Sequence, residues 1–149
     1  YPGAYELERA STDGSVLLGS MSVGKSDAIH LALPERDEKI AEFQGFVRNL
    51  GRAGERAEGM LTFVLRQDRP AADLRLFVGE GSFDLAARGE ALVDKGWVEV
   101  SVPLACFAGA DAQLDQVAAP FALESDSAVE VAFGEIRYLR KGEPTLVCD

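Results

Sequence analysis

Three features of the sequence predict an all-β chain folded as an antiparallel jelly-roll β-sandwich. Apolar and polar residues alternate with a period of two through most of its apolar stretches, as in strands with one buried face. Turn-forming Gly, Pro and Asp recur about every ten residues between them, the rhythm of a sandwich rather than of long elements. The apolar pieces do not alternate with helical patterns, which a parallel α/β sheet requires. A length of 149 residues fits one domain, and a chain of this size buries roughly 70% of its unfolded surface, enough for one core.

Taken in order, Ala28 to Leu33 alternates around His30, with Ala28, His30 and Ala32 on one face. Gly59 to Arg66 is a clear strand. Gln67-Asp68-Arg69-Pro70 follows as a turn, and Asp73 to Val78 is a second clear strand. This spacing predicts a hairpin with a loop of about five residues. In the second strand Leu74, Leu76 and Val78 take the core phase and Asp73, Arg75 and Phe77 the other face. Ser82–Leu85 is a short strand after the Gly79–Gly81 turn.

Trp97 to Pro103 is the most regular segment. Its three valines face one way, and Trp97, Glu99 and Ser101 face the other. Phe121–Glu124 is short. The last long strand runs from Val129 to Phe133 and on through Ile136 to Tyr138. The apolar phase slips by one residue at Gly134, which predicts a β-bulge there. Helical signal is weak. Gly51 to Gly59, rich in charge and interrupted by glycine, reads as a loop or one exposed turn, and Ala112 to Val117 as one helical turn before Pro120. The sum is about eight to ten short strands in a single domain over residues 1–149. The opening Tyr1-Pro2-Gly3 has neither a Met nor a signal region, so a piece of a longer polypeptide is expected.

Charge narrows the partners. The formal net charge is −10, from 25 acids against 15 bases. A phosphate-binding surface needs a basic patch, so nucleic acid and anionic membranes are not expected partners. The longest apolar run, around Ser15–Met21, is far below the ~20 residues of a membrane helix.

No catalytic set emerges. A Ser or Cys nucleophile needs a base, usually His, and His30 is the one histidine. It lies on a strand and reads as a surface residue. Gly19 to Ser26 matches the G-x-x-x-x-G-K-S phosphate-loop spacing letter for letter. However, the segment after Ser26 is too short for the helix such a loop must open and ends at Pro34, so a turn between strands is expected. Close carboxylate pairs, the requirement for glycoside hydrolysis, are unavoidable with this many acids and single out no residues. No zinc spacing is present. Structural calcium would need oxygen ligands at loop ends. Asp13, Asp27 and Asp126 are turn residues of that type, but no pattern supports calcium or any cofactor. Cys106, between Leu104 and Phe107 apart from Ala105, reads as a small buried hydrophobe and Cys148 as part of a tail, with a pairing of the two left open.

The surface with chemical interest is aromatic. Sugars stack apolar ring faces on aromatic side chains while polar groups bond their hydroxyls. Phe77 beside Arg75, and Trp97 beside Glu99, offer such pairs. The alternatives are that Trp97 caps one end of the core and that Phe77 packs under a loop or another domain.

The segment Gly96-Trp97-Val98-Glu99-Val100-Ser101-Val102-Pro103-Leu104-Ala105-Cys106-Phe107 carries a family resemblance. With Gly109-Ala110-Asp111, Leu114, Val117, Pro120-Phe121 and Leu123 after it, it resembles the C-terminal galactose-binding-like domain of bacterial family 3 glycoside hydrolases, which are β-glucosidases and exo-1,3/1,4-β-glucanases. The likeness is strongest from Gly96 to Leu139 and weaker over Asp27–Leu85. Relatives often carry a cysteine pair in the turn that is Gly79-Glu80-Gly81-Ser82 here, and this chain has none. The resemblance implies a non-catalytic accessory module behind the catalytic domain of a periplasmic or secreted enzyme, with Trp97 and Cys106 in structural roles. Two functions follow as expectations. One is a carbohydrate-binding module for β-glucan oligosaccharides. The other is an interface or dimerisation domain that packs on the catalytic domain without touching sugar.

Overall fold

The computed structural model describes residues 16–23, 29–33, 37–50, 59–79, 81–108, 120–139 and 142–148. Eight strands occur among them: β1 (Val16–Val23), β2 (Ile29–Leu33), β3 (Met60–Gln67), β4 (Arg75–Val78), β5 (Gly81–Asp84), β6 (Trp97–Pro103), β7 (Phe121–Ser125) and β8 (Val131–Leu139). They form two four-stranded sheets, ordered β1-β8-β3-β6 and β2-β7-β4-β5. Every ladder is antiparallel. The predicted sandwich is the observed architecture.

The core forms where the two inner faces meet. Leu61, Phe63 and Leu65 of β3, Val100 and Val102 of β6, Leu76 and Val78 of β4 and Leu123 of β7 are all buried. Period-2 alternation places each of these on the inner side. Phe63 and Phe133 of one sheet meet Phe121 of the other, with ring centroids 5.4 to 6.3 Å apart. These tilted and edge-on pairs add to area burial. Tyr138 is also fully buried. Its hydroxyl donates to the carbonyl of Pro120, tying the end of β8 to the start of β7 across the sandwich.

The predicted hairpin between Gly59–Arg66 and Asp73–Val78 does not form. β3 pairs with β6 and β8, whereas β4 pairs with β5 and β7. Alternation shows which side of a strand is buried but not to which sheet it belongs, and the segment between them spans the ~10 Å separation of stacked sheets. The hairpin is instead β4–β5, where Val78 faces Gly81 across the turn at Gly79, whose φ is 62°.

The bulge lies where the phase slip places it. On β8 Gly134 and Arg137 are three positions apart, whereas their partners Val64 and Thr62 are two apart. The same extra residue appears against β1 between Met21 and Gly19. The left-handed backbone belongs to Glu135, with φ 47°, and not to the neighbouring glycine.

A helix the sequence reading did not anticipate, α1 (Asp37–Leu50), joins the core. Lys39, Phe43 and Phe46 are buried along one face, a spacing of four and three that marks one helical stripe. Phe43 and Phe46 stack against Tyr138, at 4.6 and 6.4 Å. Lys39 keeps its ammonium 3.6 Å from Glu42. Two short helices follow, α2 (Leu85–Arg88) and α3 (Ala105–Ala108). Asp84 caps α2 by accepting from the Ala87 amide at 3.1 Å, the usual role of an Asp at that position.

The cysteines are paired. Cys106 of α3 and Cys148 form a disulfide with Cα atoms 5.6 Å apart. Cys106 packs against the core as expected; what the sequence spacing hid is that the C-terminal segment returns to it. Thr145 and Leu146 donate to the Ser101 carbonyl at 2.9 and 3.2 Å, and Ser101 donates to the Thr145 hydroxyl at 2.8 Å. The segment thereby covers β6, an edge strand that would otherwise present unpaired backbone groups. Residues Asp13 and Asp27 and the helical turn at Ala112–Val117 lie outside the described residues, as does all of the Gly51–Gly59 loop except Gly59.

Candidate functional site

The two aromatic pairs singled out by sequence lie on opposite outer faces. Arg75 and Phe77 are on β4, in the sheet β2-β7-β4-β5, whereas Trp97 and Glu99 are on β6, in the other sheet. All four alternate away from the core, and each of Arg75, Phe77 and Trp97 is half-buried. The structure therefore keeps each pair together and separates the pairs by the full thickness of the sandwich.

On the first face, register sets the neighbours. Phe77 lies between Ala122 of β7 and Ser82 of β5. The side chains on both sides are small, and the ring is half-buried beside them. Two residues along, about 6.6 Å away, is a polar row. His30 pairs in register with Glu124, and Glu124 with Arg75. The Arg75 guanidinium donates to Glu124 at 3.1 Å and to Asp126 at 3.5 Å. The other Glu124 oxygen lies 3.3 Å from His30 Nδ1. Partial burial opposes the charge on Arg75, but the Glu124 bond and the carboxylates of Asp73 and Asp126 outweigh it and hold its pKa above the ordinary value.

Below this row the chain is clamped. The Asp126 amide donates to both carboxylate oxygens of Asp73, at 2.9 and 3.2 Å. The buried Ser125 hydroxyl sits 2.6 Å from the Asp73 carbonyl and 2.8 Å from that of Ser127. The Asp126 amide, the Ser125 bond and, after these, the Arg75 charge hold the Asp73 carboxyl below the usual carboxylate range, against a smaller opposing effect of burial. A shallow groove of about 330 Å³ continues from Arg75 between Asp73, Ser82, Asp84 and Glu90. Arg75 thus stands between an aromatic ring and a polar groove, an arrangement that can hold a ligand with one apolar face and a hydroxylated rim.

On the second face, Glu99 pairs with Val64, and Val64 with Gly134. Ser101, Thr62 and Arg137 form the next row, and Trp97 with Arg66 the preceding one. A groove of about 190 Å³ opens over Val64.

Sequence reasoning named Phe77, Arg75, Trp97 and Glu99 but missed the residues that complete each face. Glu124 and His30 are visible only through register. Glu135 and Arg137 could have been found from the phase slip at Gly134, because a bulge re-aims the side chains beside it. The phosphate-loop match dissolves: Gly19 to Val23 is the end of β1, with Gly19 in register with Ile136, so its first glycine belongs to a sheet. Among the described residues no cluster of three or more His, Cys, Asp or Glu side chains could hold a metal ion, and no helix is long and apolar enough to cross a membrane.

Residues 20–138 match the model of the Exop_C family, described as galactose-binding domain-like. The chain belongs to this family. The resemblance carried by the Trp97–Phe107 segment is thereby confirmed. Two solved structures share the fold. One is an exo-1,3/1,4-β-glucanase from a Pseudoalteromonas species, with 15% identity and a TM-score of 0.55 over 89% of this chain. The other is the extra C-terminal domain of that glucanase by itself, with 15% identity and a TM-score of 0.52 over 88% of this chain and 75% of that one. The Exop_C-type chain spans 17% of the length of the whole glucanase. No curated protein matches it.

Proposed function

We propose that this Exop_C-type domain is a non-catalytic accessory module of an exported β-glucan-degrading glycoside hydrolase, and that it holds glucan on the outer face of β2-β7-β4-β5. The observation that carries this reading is Phe77, set between Ala122 and Ser82 and flanked by the Arg75–Glu124 pair at 3.1 Å. A pyranose ring laid on Phe77 would bring its edge hydroxyls to the guanidinium and the carboxylate, which donate and accept in complementary fashion. The similar glucanase domain supports the enzyme class. The Cys106–Cys148 disulfide suits an oxidising compartment. The large net negative charge suits a neutral polysaccharide better than an anionic one.

The test is affinity electrophoresis of the domain in gels containing β-1,3-glucan or mixed-linkage β-glucan. Wild type should be retarded and Phe77→Ala should migrate freely, with Arg75→Ala intermediate or free. Equal mobility of wild type in all gels would leave the interface role as the better account. That role is not favoured by the described surface, where Leu31 and Val147 are the exposed large hydrophobic residues, too few for the contiguous apolar patch of a few hundred Å² that marks an interface.

A further inference from the structure

We infer that the groove on the opposite face, over β6, β3 and β8, is a second saccharide site that takes a single neutral hexopyranose ring. Its floor is closed. Val64 alternates away from the core yet is only 3% exposed, and its neighbour across β8 is Gly134, which contributes no side chain. Its walls are polar: Glu99, Glu135, Arg137, Ser101 and Thr62. A rim of acceptors, a guanidinium and hydroxyls above a closed floor matches the hydroxylated edge of a sugar ring. Trp97 lies two residues from Glu99 on the same side of β6, beyond the residues that line the groove.

The bulge supplies the second observation. Glu135 adopts φ 47°, a conformation that glycine takes freely and other L-residues resist. The extra residue on β8 turns both Gly134 and Glu135 toward the outer face, removing a side chain from the floor and adding a carboxylate to the wall. Such an outlier points from structure toward function.

The chemistry of the wall limits the ligand. Two carboxylates against one guanidinium, on a chain of net charge −10, repel uronic acids and sulfated sugars. A volume of about 190 Å³ falls below the roughly 300 Å³ at which larger ligand sites begin, so one ring is seated rather than a folded chain. Together with the Phe77 face, the site makes the module bivalent, able to bridge two segments of polysaccharide across the sandwich. The bivalency rests on the function proposed above; the groove does not.

Titration calorimetry of the whole chain with β-1,3- and mixed-linkage glucan oligosaccharides tests the assignment. Wild type should bind with a stoichiometry of two. Glu99→Ala combined with Glu135→Gly should reduce this to one, as should Phe77→Ala, and the three changes together should abolish binding. Glu135→Gly relieves the left-handed backbone, so the melting temperature should not fall and lost binding is not lost folding. Light scattering should show wild type cross-linking the polymeric glucan and neither variant doing so. A stoichiometry of one, eliminated by Phe77→Ala and untouched by the Glu99/Glu135 pair, would overturn the second site while leaving the first. The reverse pattern would overturn the Phe77 face and leave this groove. No heat from wild type with any of these glucans would overturn both.

Discussion

Breaking the Cys106–Cys148 disulfide should destabilise the domain by an amount set by chain entropy. The bridge spans a sequence separation of 42. Closing a loop of that size in the unfolded chain costs about 13 cal/mol/K, or about 4 kcal/mol at 25 °C. For a domain of this length each kcal/mol moves the midpoint by about 2–4 °C, so Tm should fall by roughly 8–16 °C. Cys148→Ser is the informative variant. Cys148 is exposed, whereas Cys106 packs against the core, and Cys106→Ala would mix lost packing with the lost cross-link. Differential scanning calorimetry of wild type with and without a phosphine reductant, beside Cys148→Ser, separates the contributions. Reduced wild type and Cys148→Ser should melt together, and both well below oxidised wild type. A shift corresponding to less than about 1 kcal/mol would refute the reasoning, because it would mean that the unfolded chain is not constrained by the bridge. A Thr145→Ala control removes the hydroxyl that Ser101 donates to and should cost only about 1 kcal/mol.

Three further changes probe the frame. A Cβ at Gly81 would lie 1.8 Å from the Phe107 carbonyl oxygen, so Gly81→Ala should cost at or above the ~1–3 kcal/mol of ordinary overpacking, seen as a lowered urea midpoint; an unchanged midpoint would mean that β5 and α3 do not touch. Tyr138→Phe leaves the buried Pro120 carbonyl without its donor and should cost ~1–3 kcal/mol, read by equilibrium denaturation, with no loss if water replaces the hydroxyl. Asp73 has a folded-state pKa below its ordinary value, so the stability it contributes is present above about pH 4 and disappears as pH falls through the folded value. Asp73→Asn should therefore flatten the decline in melting temperature between about pH 5 and pH 2, and an identical slope in the variant would remove Asp73 as its cause.

How far the sequence could be read follows from what each pattern encodes. The inward residues of β3, β4, β6 and β8 were legible because a buried strand face must repeat every second residue. The slip at Gly134 was legible because a bulge shifts that phase by one. Sheet membership was not, since β3 and β4 look alike whether they pair or lie in opposite sheets. Helix α1 escaped notice because a charged residue interrupts its stripe: among the described side chains Lys39 is buried along with Phe43 and Phe46, one turn before them. Phe43 and Phe46 pack on Tyr138, which lies far along the chain, and such tertiary packing is not visible in local propensity. The pairing of Cys106 and Cys148 stayed open for the same reason, because two cysteines separated by 42 positions carry no local sign of proximity. Of the site, the outward phase of Phe77, Arg75, Trp97 and Glu99 was legible, and their division between two faces was not.

The bulge on β8 shows why the illegible part includes the chemistry. A strand obeying the period-2 rule throughout would present one outward side chain opposite Val64 and close the groove. The extra residue breaks the rule, leaves Gly134 over the floor and sets Glu135 at the rim with a left-handed backbone. That conformation costs a non-glycine residue about 1–2 kcal/mol, and the ladders to β1 and β3 on either side hold it in place. A glycine at position 135 would fold at least as well, offset only by the ~0.5–1 kcal/mol of extra chain entropy that glycine loses. Stability therefore gives no strong reason for glutamate there; the proposed groove, whose rim Glu135 shares with Glu99, Ser101 and Arg137, would give one. On the other face Glu124 bonds both His30 and Arg75 on a solvent-exposed surface, where such pairs contribute little to folding; the ligand face proposed beside Phe77 would give them a role that stability does not.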